Sequence, residues 1–188
     1  MTNDQMRKPG RDWLLAVMAF LIFWIAYLIW LAPRPPVDSL ESSGSKQPAA
    51  YDWPVLDLKD QPVSFSQFRG KTVFLNVWAT WCPPCIEEMP SIARLAENPR
   101  LRGKDIAFVC VSTDDSSDDV RRFLEGRTWT MTFLRAEKLP AVYMTDGIPA
   151  TFIIAPDGRI AAFQLGPDRW DRDEVVSFLE KIATPSKG

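Results

Sequence analysis

The residues from Trp13 to Leu31, WLLAVMAFLIFWIAYLIWL, carry no charge, and this run constrains the fold more than any other feature of the chain. At about 1.5 Å per residue, a helix of this length nearly crosses a hydrocarbon core roughly 30 Å thick. A single small domain rarely buries a helix that is apolar on every face. The sequence therefore predicts a transmembrane anchor at residues 13–32, preceded by a cytoplasmic tail at residues 1–12.

Basic residues set the expected orientation of this anchor. Arg7, Lys8 and Arg11 precede the apolar run, whereas Arg34 and Lys46 follow it more loosely. The positive-inside rule then places the N-terminus in the cytoplasm. The run is long and ends in LAPRPP without a small-residue cleavage pattern, which favours an uncleaved anchor over a signal peptide. We expect a single-pass protein of the inner (cytoplasmic) membrane that contacts lipid through residues 13–32, with its bulk in the periplasm or extracytoplasmic space.

The rest of the chain divides into a linker and one domain. Residues 33–50 are rich in Pro, Ser and Gly, which predicts a flexible linker, and residues 51–188 are enough for one globular domain. A net charge of -2 and a hydrophobic share of 46% are typical of a packed chain without a nucleic-acid partner. The sequence has no histidine, which excludes histidine-based catalytic triads and metal sites.

Hydrophobic patterning predicts an α/β domain. A strand at 71–79, a helix at 82–97 that Pro90 should kink, and a strand at 105–112 form a parallel β-α-β unit. Ser116 or Ser117 can cap the next helix, and Asp157-Gly158 is a strong hairpin turn signal. We expect a central mixed sheet with helices on both faces. The later elements are a helix to Glu125, a strand at 130–134, a short helix at 137–143 broken by Pro140, a hairpin of strands 151–155 and 159–164, and a helix at 171–183.

The run WATWCPPC, Trp78 to Cys85, places a dithiol where a buried strand ends and a helix begins. Backbone N–H groups in a first helical turn have no intrahelical partners, and with the helix dipole they stabilise an anion. Such a position can lower a thiol pKa from about 8.5 to roughly 3.5–7.5. We therefore expect Cys82, exposed at the helix tip, to be the nucleophile and Cys85 to be the resolving thiol. Pro83 and Pro84 restrict the loop between them and should tune the stability of the disulfide.

Two other uses of the dithiol fit the sequence less well. A zinc site needs about four ligands, whereas the chain offers one CxxC pair, no histidine and a distant Cys110. A purely structural disulfide is an unusual use of so small a loop, because stabilisation grows with loop length. Cys110 alternates with Phe108 in the predicted strand, which favours an inert core thiol.

Glu88 is a candidate for proton transfer. It follows Cys85 by three residues and lies on a neighbouring face of the helix, within reach of the resolving thiol. Spacing alone leaves a solvated surface carboxylate equally open, because a functional role needs a partly buried group with a shifted pKa. Glu87 points further round the helix, and we expect it at the surface.

Three segments together resemble the TlpA/ResA branch of thioredoxin-like proteins: FRGKTVFLNVWATWCPPCIEEMP at 68–90, GIPATFIIAPDGRI at 147–160, and the following GPDRW. The likeness covers about residues 51–182. It implies a membrane-anchored thiol-disulfide oxidoreductase with a thioredoxin-like fold. By the same resemblance, residues between Cys110 and Pro149 fit an extra strand-helix insertion.

The resemblance also implies roles for particular residues. Ile148-Pro149 matches the cis-proline loop that faces the dithiol and pairs with the backbone of a bound substrate. Trp81 matches the exposed residue before the nucleophile, and Glu88 matches the family's acidic residue after CxxC, which favours its proton-transfer role. Pro90 matches the proline that kinks the active-site helix. The expected substrate-binding residues are Trp81, Pro83, Pro84, Ile148 and Pro149.

The chain departs from ordinary thioredoxins at one buried position. Asn76 stands where they carry a buried Asp, so this side chain cannot accept a proton, although Asn is common in this branch. The Lys that often accompanies that Asp has no evident counterpart near Val109. Because of both departures, we expect Glu88 to be the group that transfers the proton.

Members of this branch usually reduce disulfides in extracytoplasmic proteins, often apocytochromes c or copper-site proteins, and are recharged by a membrane thiol reductase. We therefore expect a disulfide reductase whose partners are such a substrate and such a donor, and which needs no bound cofactor or metal. Two alternatives stay open: a thiol oxidase of the same fold, and a non-catalytic metal-delivery or binding module that uses the CxxC pair.

Overall fold

The computed structural model describes residues 12–31 and 47–183, which belong to two separate compact units. The first described range is one helix, α1 (Asp12–Leu31), and large apolar side chains along it are exposed, among them Phe20, Ile22 and Phe23. Among the described residues, none of the helices combines the length and the apolar character that a membrane span requires. The predicted tail at 1–11 and most of the predicted linker, 32–46, lie outside the described residues.

The second unit contains seven strands: β1 (Pro54–Leu56), β2 (Pro62–Ser64), β3 (Thr72–Trp78), β4 (Ile106–Ser112), β5 (Thr132–Arg135), β6 (Ala150–Ile154) and β7 (Ile160–Leu165). They form one mixed sheet with the strand order β2-β1-β5-β4-β3-β6-β7. Strands β3, β4 and β5 run parallel to one another, whereas the pairs β3/β6, β6/β7, β1/β5 and β1/β2 are antiparallel. The thioredoxin-like α/β fold implied by the sequence is confirmed.

Strand β3 lies inside the sheet, between β4 and β6, and all of its residues are buried. Its side chains alternate between two cores, because successive residues of a strand point to opposite faces. Phe74 and Trp78 belong to one core, and Val73, Leu75 and Val77 belong to the other. The residues that follow β3 are therefore attached to the end of a strand that is buried on both faces.

The expectation of helices on both faces of the sheet is wrong for the α-helices of residues 47–183. Helices α2 (Pro83–Ala96), α3 (Ser117–Leu124) and α4 (Asp173–Ala183) all contribute to the core that contains Phe74 and Trp78. The crossovers β3-α2-β4 and β4-α3-β5 step across the sheet in one direction, and right-handed crossovers in one direction place their helices on one face. The opposite face is covered by two short 3-10 helices, Phe65–Phe68 and Ala141–Tyr143.

Two further differences are local. The short helix predicted at 137–143 is only the 3-10 helix Ala141–Tyr143, because Pro140 is its N-cap and the chain before it is irregular. The hairpin of β1 and β2 was not predicted, since each strand has three residues and begins with proline. The β6-β7 hairpin is confirmed, with Gly158 in the left-handed conformation at φ +82°. At the end of the predicted linker, Ala49 N donates to Gly158 O at 2.8 Å.

Candidate active site

Cys82 and Cys85 lie at the junction of β3 and α2, and their sulfurs form a disulfide with an S–S distance of 2.07 Å. Cys82 is the N-cap of α2, with an extended backbone, and Cys85 is the third residue of the helix. The helix continues through Pro90 to Ala96, and Met89 and Ile92 anchor it in the core. The predicted pair is therefore close enough to exchange between dithiol and disulfide.

The first turn of α2 offers few N–H groups to a sulfur on Cys82. Pro83 and Pro84 occupy the first two positions of the helix, and proline has no backbone N–H. Cys85 N lies 3.3 Å from Cys82 Sγ and donates to it, as a helix donates to an N-cap side chain. Several free N–H donors are expected at a helix N-terminus, but within the first turn of α2 only Cys85 N donates to Cys82 Sγ.

The expected exposure of Cys82 is wrong for the disulfide form. Only 3% of the residue is exposed, because its sulfur is bonded to Cys85 and the chain at Ile148 packs over it. Cys82 Sγ lies 3.8 Å from the carbonyl oxygen of Ile148. Trp81, directly before Cys82 in sequence, is 67% exposed, so the buried sulfur lies close to the protein surface.

The Ile148-Pro149 peptide bond is cis, and this loop faces the disulfide through the Ile148 carbonyl. Pro149 is buried at the start of β6, where Ala150 pairs with Val77 of β3. Its carbonyl accepts from Gly166 N at 2.8 Å, which ties the loop to the end of β7. The structure therefore brings Ile148 and Pro149 to the dithiol, as the resemblance implies.

A cavity of about 370 Å³ opens beside the disulfide, between Trp81 and the chain that precedes the cis peptide bond. Its apolar side chains include Leu139, Ile148 and the 64% exposed Met144. Pro83 and Pro84 do not line it: Pro83 is exposed and Pro84 half-buried on the first turn of α2. Two of the five predicted substrate-binding residues, Trp81 and Ile148, thus share this cavity. Sequence reasoning did not single out Met144 or Leu139, because neither lies in a recognisable motif.

Glu88 is buried, with 3% of the residue exposed, and the alternative of a solvated surface carboxylate is wrong. Its Oε1 accepts from Asn76 Nδ2 at 2.8 Å. Its Oε2 accepts from Trp170 Nε1 at 2.9 Å and from Asp168 N at 3.1 Å. Burial raises the pKa of the Glu88 carboxyl, and the three hydrogen bonds, which favour the ionised form, offset this only in part. A carboxyl with a raised pKa, one helical turn from Cys85, suits proton transfer.

A second buried carboxylate, Asp114, holds the segment that leads into Cys82. It accepts from Thr80 N at 2.9 Å, from Thr80 Oγ1 at 2.6 Å and from Ser112 Oγ at 2.5 Å. The loop after β3 is thereby pinned to the loop after β4. Sequence reasoning did not single out Asp114, because it lies in no recognisable motif.

Cys110 is fully buried in β4, where its Sγ lies 3.9 Å from Met131 Sδ. Burial raises the pKa of this thiol well above its ordinary value, so it stays protonated. Among residues 12–31 and 47–183, no three His, Cys, Asp or Glu side chains lie together as a metal site would require. The site is therefore built around one redox pair, a cis-proline loop and a buried carboxyl.

Comparison with known proteins places this arrangement among thiol-disulfide enzymes. Residues 42–180 match the Redoxin family. Thiol-disulfide oxidoreductase ResA of Geobacillus kaustophilus is 28% identical over 182 residues, 96% of this chain and 98% of its own. ResA of Bacillus thuringiensis (strain Al Hakam) is 27% identical over 135 residues, 71% of this chain and 76% of its own. The crystal structure of a candidate thiol-disulfide oxidoreductase from Bacteroides vulgatus superposes with a TM-score of 0.62 at 30% identity, covering 73% of this chain and 95% of that one.

Proposed function

Because the chain belongs to the Redoxin family and is a thiol-disulfide oxidoreductase of the TlpA/ResA type, we propose that it reduces disulfides of extracytoplasmic proteins through Cys82 and Cys85. The observation that carries the proposal is the placement of both sulfurs, bonded to each other, beside the cis Ile148-Pro149 bond. A cavity lined by Trp81, directly before Cys82, and by Ile148, whose carbonyl contacts Cys82 Sγ, lies next to the pair. A protein substrate can lay an extended segment there.

The reaction begins with the dithiol. The Cys82 thiolate attacks one sulfur of a substrate disulfide, a Cys82–substrate bond forms, and the other substrate sulfur leaves as a thiolate that takes up a proton. Cys85 then loses its proton, attacks Cys82 Sγ and releases the second substrate sulfur as a thiol. The substrate gains two electrons and two protons, and the protein is left with the Cys82–Cys85 disulfide.

Glu88 serves the second step in this proposal. Cys85 must be deprotonated before it attacks, and a buried carboxylate on the same helix can accept its proton. The raised pKa of Glu88 brings it closer to that of a thiol than an ordinary carboxyl would be. Asn76 then supports Glu88 as a hydrogen-bond donor and does not itself exchange a proton.

We further propose that the apolar run at 13–31 anchors the protein in the inner membrane, with the redox domain on the extracytoplasmic side. The support is the uncharged sequence, the basic residues that precede it and the exposed apolar side chains of α1. An anchor holds the domain near a membrane thiol reductase, the proposed donor of electrons. The proposed substrates are apocytochromes c or copper-site proteins awaiting reduction, because the resemblance points to that class.

The test is reduction of insulin disulfides by the full chain in detergent micelles, with a small dithiol as the source of electrons. We expect turnover by the wild-type chain and its loss in Cys82→Ser. Cys110→Ala is the matched control for a cysteine outside the disulfide: Cys110 is a free, buried thiol whose sulfur contacts Met131, and the variant should retain turnover. The reduction potential separates the directions of reaction: a value near thioredoxin, about -270 mV, supports the reductase, and one near about -120 mV supports a thiol oxidase. Tight binding of a soft metal without turnover would instead support the metal-delivery module.

A further inference from the structure

The segment between β7 and α4 is hydrogen-bonded to helix α2 at several points. Trp170 donates twice: its backbone N reaches Ser91 Oγ at 3.1 Å, and its indole Nε1 reaches Glu88 Oε2 at 2.9 Å. Its ring is fully buried and meets Phe74 edge to face at 5.0 Å. Trp170 is therefore fixed at three points, and its indole N–H is a rigid donor to the carboxyl.

The two oxygens of Glu88 have different environments. Oε2 accepts two hydrogen bonds, from Trp170 Nε1 and Asp168 N, which occupy both of its lone pairs. Oε1 accepts one, from Asn76 Nδ2. One lone pair of Oε1 thus remains for a proton.

Asn76 can accommodate a proton on that oxygen. Its Oδ1 is buried and has no hydrogen-bond partner among the described residues, and its Nδ2 also contacts Thr151 Oγ1 at 3.0 Å. A half turn of the amide would present Oδ1 to both neighbours. Oδ1 would then accept from a protonated Oε1 and from the Thr151 hydroxyl, which can act as donor or acceptor.

We propose that Trp170 is a positioning residue for Glu88: its indole N–H holds Oε2 as a fixed acceptor and so makes Oε1 the atom that exchanges a proton with Cys85. The inference rests on the proposed function, because it assumes that Glu88 serves the resolving thiol. Trp170 touches neither the sulfurs nor a substrate and acts through the carboxyl.

Among the other groups near Glu88, Asp168 carries a negative charge, and Arg172 forms an ion pair with it at 2.6 Å. Cys110 on β4 stays a neutral thiol because it is buried, and Asn76 and Trp170 do not titrate. Cys85 on α2 is the remaining titratable neighbour. A change in the titration of Glu88 after loss of the indole N–H is therefore assigned to the hydrogen bond itself.

The kinetic test uses the reduced full chain in micelles and a self-quenched disulfide peptide, in single turnovers over a range of pH. Trp170→Phe keeps an aromatic ring and removes the N–H donor. We expect its Glu88 inflection to move to higher pH by about one unit, because an ionised acceptor loses a hydrogen bond. Trp78→Phe is the matched control, since Trp78 is equally buried and its Nε1 has no partner among the described residues. Its inflection should not move, and in a Glu88→Gln background Trp170→Phe should cause no shift.

A second measurement on the wild-type chain does not depend on any variant folding. With ¹⁵N-labelled indoles, the Trp170 N–H resonance should titrate with the Glu88 inflection and should stop titrating in Glu88→Gln, whereas the Trp78 resonance should not titrate. The inference would be overturned if folded Trp170→Phe kept the wild-type pH profile of single turnovers. It would also be overturned if the Trp170 N–H resonance did not change with pH at the Glu88 inflection. A wild-type chain that reduces no peptide at any pH, with the indole titration intact, would instead remove the proposed function.

Discussion

At the scale of single residues, the sequence was enough to predict the positions of the two sulfurs but not the position of Glu88. The spacing of Cys82 and Cys85 was enough to predict their pairing, because a three-residue separation at a helix start brings two side chains into contact. Glu88 could not be placed from spacing. Its donors Trp170 and Asn76 are 82 and 12 positions away in sequence, and only the packing of β3 and of the segment before α4 against α2 brings them to it.

The burial of Glu88 predicts a pH-dependent stability. Its pKa is raised above the ordinary value of 4.5, so the unfolded chain releases this proton at lower pH than the folded chain. Below about pH 4.5 both states hold the proton, and above it the contribution of Glu88 to the free energy of unfolding falls until the folded pKa is passed. Glu88→Gln has no such titration. We therefore expect the stability of Glu88→Gln relative to wild type to increase between about pH 4 and about pH 8.

Urea titrations at both pH values measure this difference. The exposed neighbour Glu87 supplies the control, because Glu87→Gln should show the same relative stability at both. If the difference in unfolding free energy between Glu88→Gln and wild type does not change with pH, the pKa of Glu88 is not raised in the folded protein.

At the scale of elements, patterning predicted the long, buried elements and the short strand at 130–134, which is β5, but it missed the three-residue strands β1 and β2. The bounds of β3, β4, α2 and the β6-β7 hairpin agree with the sequence within about two residues, since each has a clear apolar pattern or a turn signal. The strands β1 and β2 have no such pattern in three residues. The one-sided placement of the α-helices depends on the order of the strands, which no local pattern contains.

The two prolines that open α2 predict an effect on the nucleophile. An N-cap side chain accepts from the second or third helical N–H, and Pro84 removes the second. Pro84→Ala restores it, so the Cys82 thiol should ionise at lower pH and the protein should become more oxidising. Thiolate absorbance during a pH titration, with a redox equilibrium against glutathione, measures both changes.

Pro83→Ala is the matched control for this substitution. It restores an N–H at the first helical position, which does not point at the N-cap side chain, so it should leave the titration of Cys82 nearly unchanged. Equal effects of the two substitutions would show that loop stiffness, and not the added donor, controls the thiol.

At the scale of the whole molecule, the redox domain follows the apolar run at 13–31, which we propose to be a membrane anchor. We expect the full chain to sediment with membranes and to resist extraction at alkaline pH, whereas a chain beginning at residue 33 should stay in the soluble fraction. Phe23→Arg, a charge in the middle of the run, should weaken membrane retention. Protease added from the extracytoplasmic side should digest the redox domain, and a full chain recovered in the soluble fraction would contradict the anchor.

The central claim is that Cys82 is the sulfur that attacks the substrate and Cys85 the one that resolves. Its most direct measurement is mass spectrometry of the full-length Cys85→Ala variant after reaction with a disulfide substrate, with peptides mapped without reduction. We expect the substrate to stay covalently attached to Cys82, because no second thiol can release it. Attachment to Cys110, or a Cys85→Ala variant that traps nothing while Cys82→Ala traps substrate on Cys85, would contradict it.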